Sequence, residues 1–191
     1  IEGYQSDGAD GAILACAKHY IGYGEATGGR DSYDTSVTYR KIKETFLPPF
    51  KRAIEAGCAS VMTAYGSIDG TPCTADKKLL RDILKDELKF EGFVVTDWQN
   101  VSHLIHEQHL AENERVASRI ALESGNDMMM NAPEFYENMI SLVKSGEVDE
   151  TLIDEAVMRI LNVKERFGLL DDPFKQSDEH YLGCDEHLRL A

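Results

Sequence analysis

Four short apolar runs, each followed by a longer stretch of helical period, set the strongest limit on how this chain can fold. The runs are Ile13 to Tyr20, Ala59 to Tyr65, Gly92 to Trp98 and Asn126 to Met130, and each reads as a strand of a parallel sheet. Their starts are separated by about 46, 33 and 34 residues, the cadence of successive βα units in a (β/α)8 barrel, where about 250 residues supply eight. The fold class expected is therefore α/β, about four parallel βα units of a TIM-type barrel. An open sheet of this kind exposes two edges, so the chain is expected to be a fragment of a longer protein or to be completed by another.

The intervening segments fit this plan. Thr38 to Ala56 places Ile42, Phe46, Leu47, Phe50 and Ile54 on one face of a helix, with Pro48 and Pro49 expected to kink it. In the next helix Asp76 is a natural cap, Leu79, Leu80, Ile83, Leu84 and Leu88 form the buried stripe, and Gly92 follows its end. Further helices are expected over Arg115 to Ser124, Pro133 to Ser145 and Glu150 to Phe167, the last burying Ile153, Val157, Ile160, Leu161 and Phe167. The polar, turn-rich tail reads as a linker, which divides the chain into a partial barrel at 1–170 and a connection toward a further domain at 171–191.

Composition removes several classes of function. Thirty-four acidic residues against twenty basic ones give a formal net charge of −14, which repels phosphate backbones and anionic membranes, so neither nucleic acid nor a membrane is an expected partner. The four cysteines, Cys16, Cys58, Cys73 and Cys184, lack CxxC spacing and read as free thiols, with Cys16 and Cys58 as small hydrophobes. Free thiols favour a cytoplasmic setting. Secretion stays open, because the chain begins at Ile1 rather than a methionine.

Barrel chemistry takes place where the strands end, and here those ends are polar. The first offers Lys18, His19 and Tyr20, the second Met62 and Tyr65, the third Asp97 and Trp98, and the fourth Asn126, Asp127 and Met128 to Met130. Asp97 is the most informative, since a carboxylate closing the run Phe93-Val94-Val95-Thr96 is costly to bury unless it is bonded or working. Its plain alternative is a helix cap. Trp98, the only tryptophan, suits either a sugar face or a neighbouring loop.

These residues carry a family likeness. The stretches "AKHYIGYGEATGGRD", "VMTAYGSIDGTPCTAD", "FEGFVVTDW" and "RILNVKERFGLLDDPF" resemble, in order, motifs of the glycoside hydrolase family 3 barrel domain found in β-glucosidases, and the resemblance covers nearly the whole chain. It implies the second half of that barrel and a retaining, exo-acting mechanism with Asp97 as the nucleophile. Lys18 and His19 would then bind sugar hydroxyls, with Arg30 a further candidate, while Tyr65 would orient Asp97, and Met62 and Trp98 would line the leaving-group side. The substrate implied is a terminal β-D-glucoside or an oligosaccharide, with xylose as the alternative sugar, and no cofactor or metal is implied.

A retaining mechanism needs a second carboxyl about 5–5.5 Å from the first. The loop "KHYIGYGEATGG" lacks the Asp-His pair of the family's N-acetylglucosaminidase branch and looks like the glucosidase branch, whose acid/base glutamate belongs to a second α/β domain. The rest of the barrel and that domain are thus the implied partners, and the isolated chain is expected to turn over little or nothing. A carbohydrate-binding or assembly module is the non-enzymatic alternative.

Other patterns carry less. His103, His106 and His109 recur every three residues without catalytic metal spacing, and Gly22, Gly24 and Gly28 do not match the dinucleotide loop. Glu25, Asp31 and Asp34 read as solvated loop carboxyls. Asn100-Val101-Ser102 has the form of a glycosylation acceptor but lies beside Asp97, and is expected to stay unmodified. Finally, a regular strand would point Lys18 and His19 to opposite faces, so a bulge or a cis peptide is expected between Lys18 and Tyr20.

Overall fold

The structure, a computed structural model, describes residues 1–5, 12–174 and 182–190. Three strands, β1 (Cys16–Tyr20), β2 (Ser60–Thr63) and β5 (Phe93–Val95), form a parallel sheet in the order β1-β2-β5. The fourth run does not become a full strand. It lies parallel to β5 through one bridge, Val95 to Met128, with the Asp127 and Met128 N–H groups donating to Val94 O. Its pairing is limited because the Asp127 side chain itself accepts from Val94 N at 2.7 Å. A short hairpin, β3 (Ser67–Ile68) and β4 (Thr71–Pro72), stands apart from the sheet. Asp69 and Gly70 both take positive φ at its tip, as a two-residue primed turn requires.

Helices follow the strands. After α1 (Glu2–Gln5), α2 spans residues 39–55 and meets its prolines without ending. The chain widens just before them, with Leu47 N donating to Ile42 O, so the distortion expected from Pro48 and Pro49 takes the form of a wide turn. The helix α3 (Lys78–Glu87) is capped by Asp76, whose carboxylate accepts from Leu79 N at 3.0 Å. It buries Leu79, Leu80, Ile83 and Leu84 against Tyr20, Ile42, Val61 and Val94. Truncating one of these leucines to alanine costs about 2–5 kcal/mol.

Gly92 is fixed by crowding rather than by the end of α3. A Cβ there would lie 2.3 Å from Ala59 O and 2.7 Å from Phe90 Cζ, so β2 and β5 start in close backbone contact. Gln5 secures the same end of the sheet, its buried amide accepting from Ala15 N and Ala59 N, each at 3.1 Å, and donating to Gly57 O.

The later helices are α4 (Asn100–His106), α5 (Glu114–Ser124), α6 (Phe135–Lys144), α7 (Glu150–Arg166) and α8 (Asp185–Leu190). The sequence reading places no helix at α4, and the structure folds one there. In α7, Ala156 and Val163 face inward, but Val157, Met158 and Leu161 are exposed, so the expected stripe is only partly covered. Of the expected linker, 175–181 and 191 lie outside the described residues, and the rest includes α8. Cys58 and Cys73 are buried, but Cys16 is exposed because β1 is an edge strand, so it is not the buried hydrophobe expected.

Candidate active site

The turn from β5 into α4 is built to hold one carboxylate. Thr96 anchors it, its N–H donating to Met128 O and its hydroxyl accepting from Met130 N at 2.8 Å. Gln99 then takes a left-handed conformation, φ 56, and donates to Met130 O before α4 begins. Between them sits Asp97, 9% exposed. Its Oδ1 accepts from the Trp98 N–H at 2.7 Å, and its Oδ2 meets His19 Nε2 at 3.2 Å. The side chain is not a cap for α4, since no side-chain hydrogen bond caps that helix.

His19 reaches Asp97 from an irregular strand end. The β1–β2 register shifts between Ala17 and Tyr20, and the Lys18–His19 and Tyr20–Ile21 peptides are cis. The departure from strand geometry expected between Lys18 and Tyr20 is therefore present, with a second cis bond one residue beyond. His19 stacks on Tyr23, ring centroids 4.7 Å apart, and the Tyr23 hydroxyl donates to Asp31. That bond is the main cause of the Tyr23 hydroxyl rising to about 12.

Burial, assisted by the Lys18 charge, holds the His19 imidazole below its ordinary value despite the opposing pull of Asp97 and Asp31. The 3.2 Å approach of His19 Nε2 to Asp97 Oδ2 is thus an electrostatic contact weakened by burial of the imidazole. Tyr65 stands on the other side. Its hydroxyl, which faces Trp98 O at 2.9 Å and the Asp97 side chain, is pushed up to about 12, first by burial, then by the Asp97 charge and the hydrogen bond to it. Asp97 is therefore set among an imidazole, a phenol and a backbone N–H.

The remaining candidates are less closely gathered. Lys18 is exposed, and among the described residues no ion pair joins it to Asp97. Met62 lies half-buried on β2 opposite Val95, and Trp98 is 56% exposed at the rim. Arg30 is exposed, 5.3 Å from the Tyr33 ring, in a cleft of about 230 Å³ that it lines with Tyr23 and Asp31. A second cleft, about 500 Å³, runs past Tyr33, Asp34, Ser67 and Gln108. Glu25 pairs with Lys41 at 2.7 Å.

Three polar groups expected at this rim turn elsewhere, because each finds a better partner inside. Tyr20 is fully buried and donates to Leu79 O at 3.1 Å. Asn126 donates to Thr74 O and Ala121 O. Asp127 pairs with Lys85 at 2.8 Å, and Lys85 also reaches Glu155. Asn100, the acceptor position of the sequon, is fully buried with its amide donating to Ala64 O at 3.1 Å.

Sequence reasoning did not find the neighbours of Tyr65. The His103 ring stacks on Tyr65 at 5.0 Å, and Gln108 Nε2 donates to Tyr65 O at 2.7 Å. The helical spacing of Asn100, Val101 and Leu104, all buried, was the available signal.

Residues 1–163 match the glycosyl hydrolase family 3 N terminal domain. The chain is 36% identical over 173 residues to a periplasmic beta-glucosidase of Salmonella typhimurium, covering 87% of this chain and 22% of that protein. To a beta-xylosidase of Formosa agariphila it is 34% identical over 206 residues, covering all of this chain and 28% of the relative. Among solved structures, a beta-glucosidase from Listeria innocua in complex with glucose superimposes with TM-score 0.92 at 34% identity, covering 97% of this chain and 26% of that one. A beta-glucosidase involved in saponin metabolism from intestinal bacteria gives 0.91 at 42% identity, covering 99% and 26%. The chain thus spans about a quarter of the length of these relatives.

Proposed function

Because this chain belongs to glycosyl hydrolase family 3, we propose that it supplies the nucleophile half of a retaining β-glucosidase active site, with Asp97 as the attacking carboxylate. The observation that carries this is a buried aspartate at the end of a parallel strand that, among the described residues, has no lysine or arginine partner. An Asp97 oxygen forms a bond to the anomeric carbon while the bond to the leaving oxygen breaks, and water later releases the sugar. His19 and the Trp98 N–H hold the carboxylate in place. Lys18, His19 and Arg30 bind hydroxyls of a terminal glucosyl unit, with Met62 and Trp98 toward the leaving group.

The proton for the leaving group comes from an acid/base on a second domain, joined to a barrel half at 1–170 through 171–191, and the rest of the barrel completes the sugar site. A β-xylosidase is the second reading, favoured by the Formosa agariphila relative that covers the whole chain.

The test compares an aryl β-glucoside with an aryl β-xyloside in the presence and absence of Asp97→Ala. The 1–191 chain alone is expected to turn over neither appreciably, whereas the protein with its partner domains cleaves the glucoside faster and loses that rate with Asp97→Ala. Retention of the rate by Asp97→Ala overturns the nucleophile assignment, and Asp97-dependent turnover by 1–191 alone overturns the need for a second domain.

A further inference from the structure

We propose that His103 is a positioning residue for Tyr65, and through it for Asp97. This rests on the reading of Asp97 as nucleophile and assigns a role to a helix that the sequence reading did not anticipate.

Three residues of one short segment grip the end of β2. Asn100 donates to Ala64 O at 3.1 Å, Gln108 donates to Tyr65 O at 2.7 Å, and the His103 ring lies against the Tyr65 ring at 5.0 Å with 29° between their planes. The first two fix the backbone, leaving the direction of the phenol to the third. The hydroxyl at its far end donates to Trp98 O, the residue directly after Asp97, whose own N–H holds Asp97 Oδ1. The path from His103 to the carboxylate thus runs through one ring, one carbonyl and one peptide unit.

The imidazole is held here for its face. Its Nδ1 is buried and has no hydrogen-bond partner among the described residues. A histidine kept for hydrogen bonding at that nitrogen would not be left so, because an unsatisfied buried polar atom is costly. A flat ring against a flat ring fits instead, since such pairs attract beyond the area they bury. His19 is supported in the same way by Tyr23, at 4.7 Å and also 29°. Asp97 therefore lies between two groups, each steadied by a ring that does not itself touch the carboxylate. His106 and His109, which share the three-residue spacing, are exposed.

The inference predicts that an aromatic hydrocarbon replaces His103 and that alanine does not. His103→Ala, His103→Phe, Tyr65→Ala and the double variant Tyr65→Ala with His103→Ala would be compared in the protein with its partner domains. In hydrolysis of the aryl β-glucoside, His103→Ala is expected to lower kcat about tenfold with KM changed less than about twofold, because ground-state binding is left intact. His103→Phe restores most of the rate, and on the Tyr65→Ala background His103→Ala has no further effect.

A full penalty on that background, or failure of His103→Phe to restore the rate while folding normally, overturns the proposal. Emission of Trp98, taken in the protein with its partner domains as the difference between each variant and the same variant carrying Trp98→Phe, supplies a readout independent of catalysis. It is expected to shift in His103→Ala and to return in His103→Phe. An unchanged spectrum in His103→Ala also overturns the proposal. If no Asp97-dependent turnover exists, the glycosidase reading fails while the emission result still decides the role of His103.

Discussion

Asp97 and Asp127 are both buried residues beside β5, but the Asp97 side chain keeps 13% exposure and the Asp127 side chain only 2%. Their partners differ completely. Asp127 meets Lys85 at 2.8 Å, and Lys85 in turn reaches Glu155, which also binds Arg81 at 2.9 Å. Burial pushes the Asp127 carboxyl above its ordinary value, and the cation opposes it. Asp97 meets an imidazole whose charge burial disfavours, a backbone N–H and a tyrosine. The carboxylate paired with lysine ties helix to sheet; the one at the rim keeps more solvent and no lysine or arginine partner among the described residues. Side-chain exposure and the chemistry of the neighbours thus separate the two together.

The largest expected contrast comes from removing the two charges separately. If Asp97 is the proposed nucleophile, Asp97→Asn should lower turnover about a thousandfold or more while leaving the melting temperature unchanged or raised. Kinetics and thermal unfolding of the same sample read both. A large loss of stability would erase the distinction.

Next in size is Lys85→Met, which leaves Asp127 buried without its cation and should cost about 3–5 kcal/mol in urea unfolding. Adding Asp127→Asn, which keeps an acceptor for Val94 N–H, should recover most of it. No recovery would mean that the lysine stem, not the charge pair, supports the fold. Smaller again is His19→Ala, expected to cost about a hundredfold in kcat through loss of the imidazole beside the carboxylate. Because burial lowers this imidazole from its ordinary value, any acid limb due to His19 should lie on the acid side of that value, and a limb centred above it would belong to another group.

The smallest effect belongs to the edge of the lysine network. Glu155 is lowered to about 2 by Arg81 and Lys85, against the opposing influence of burial. Its stabilisation is present above the ordinary carboxylate value near 4.5 and is lost as pH falls toward 2. With the side chain 33% exposed, solvent screening reduces the contribution to about 1 kcal/mol. Glu155→Gln should flatten the acid limb of the stability curve across that window, and an unaltered limb would assign acid unfolding to other groups.

How far the sequence was legible follows from what each signal depends on. The runs at β2 and β5 and the stripe of α3 were readable because burial on both faces, or along one, leaves a pattern, while β1 was readable from its apolar run although much of it is exposed. The fourth run looked similar, yet a side chain within it takes one of the ladder hydrogen bonds, and pattern does not record such competition. The hairpin carried its signal openly in Asp69-Gly70, but two-residue strands are too short for alternation to register. At the site, Asp97, His19 and Tyr65 were named from type and place. His103, Lys85 and the inward turn of Tyr20 depend on contacts between distant segments, which no local spacing encodes.

One consequence of Gly92 reaches the other end of its strand. With Ala59 O so near its Cα, the start of β5 abuts β2, and the pairs Ser60–Phe93, Val61–Val94 and Met62–Val95 follow in step. The absent methyl group thus acts as a zero mark on a ruler. It sets how far the strand is advanced along its neighbour, and hence the height at which the Asp97 carboxylate emerges between His19 and Tyr65.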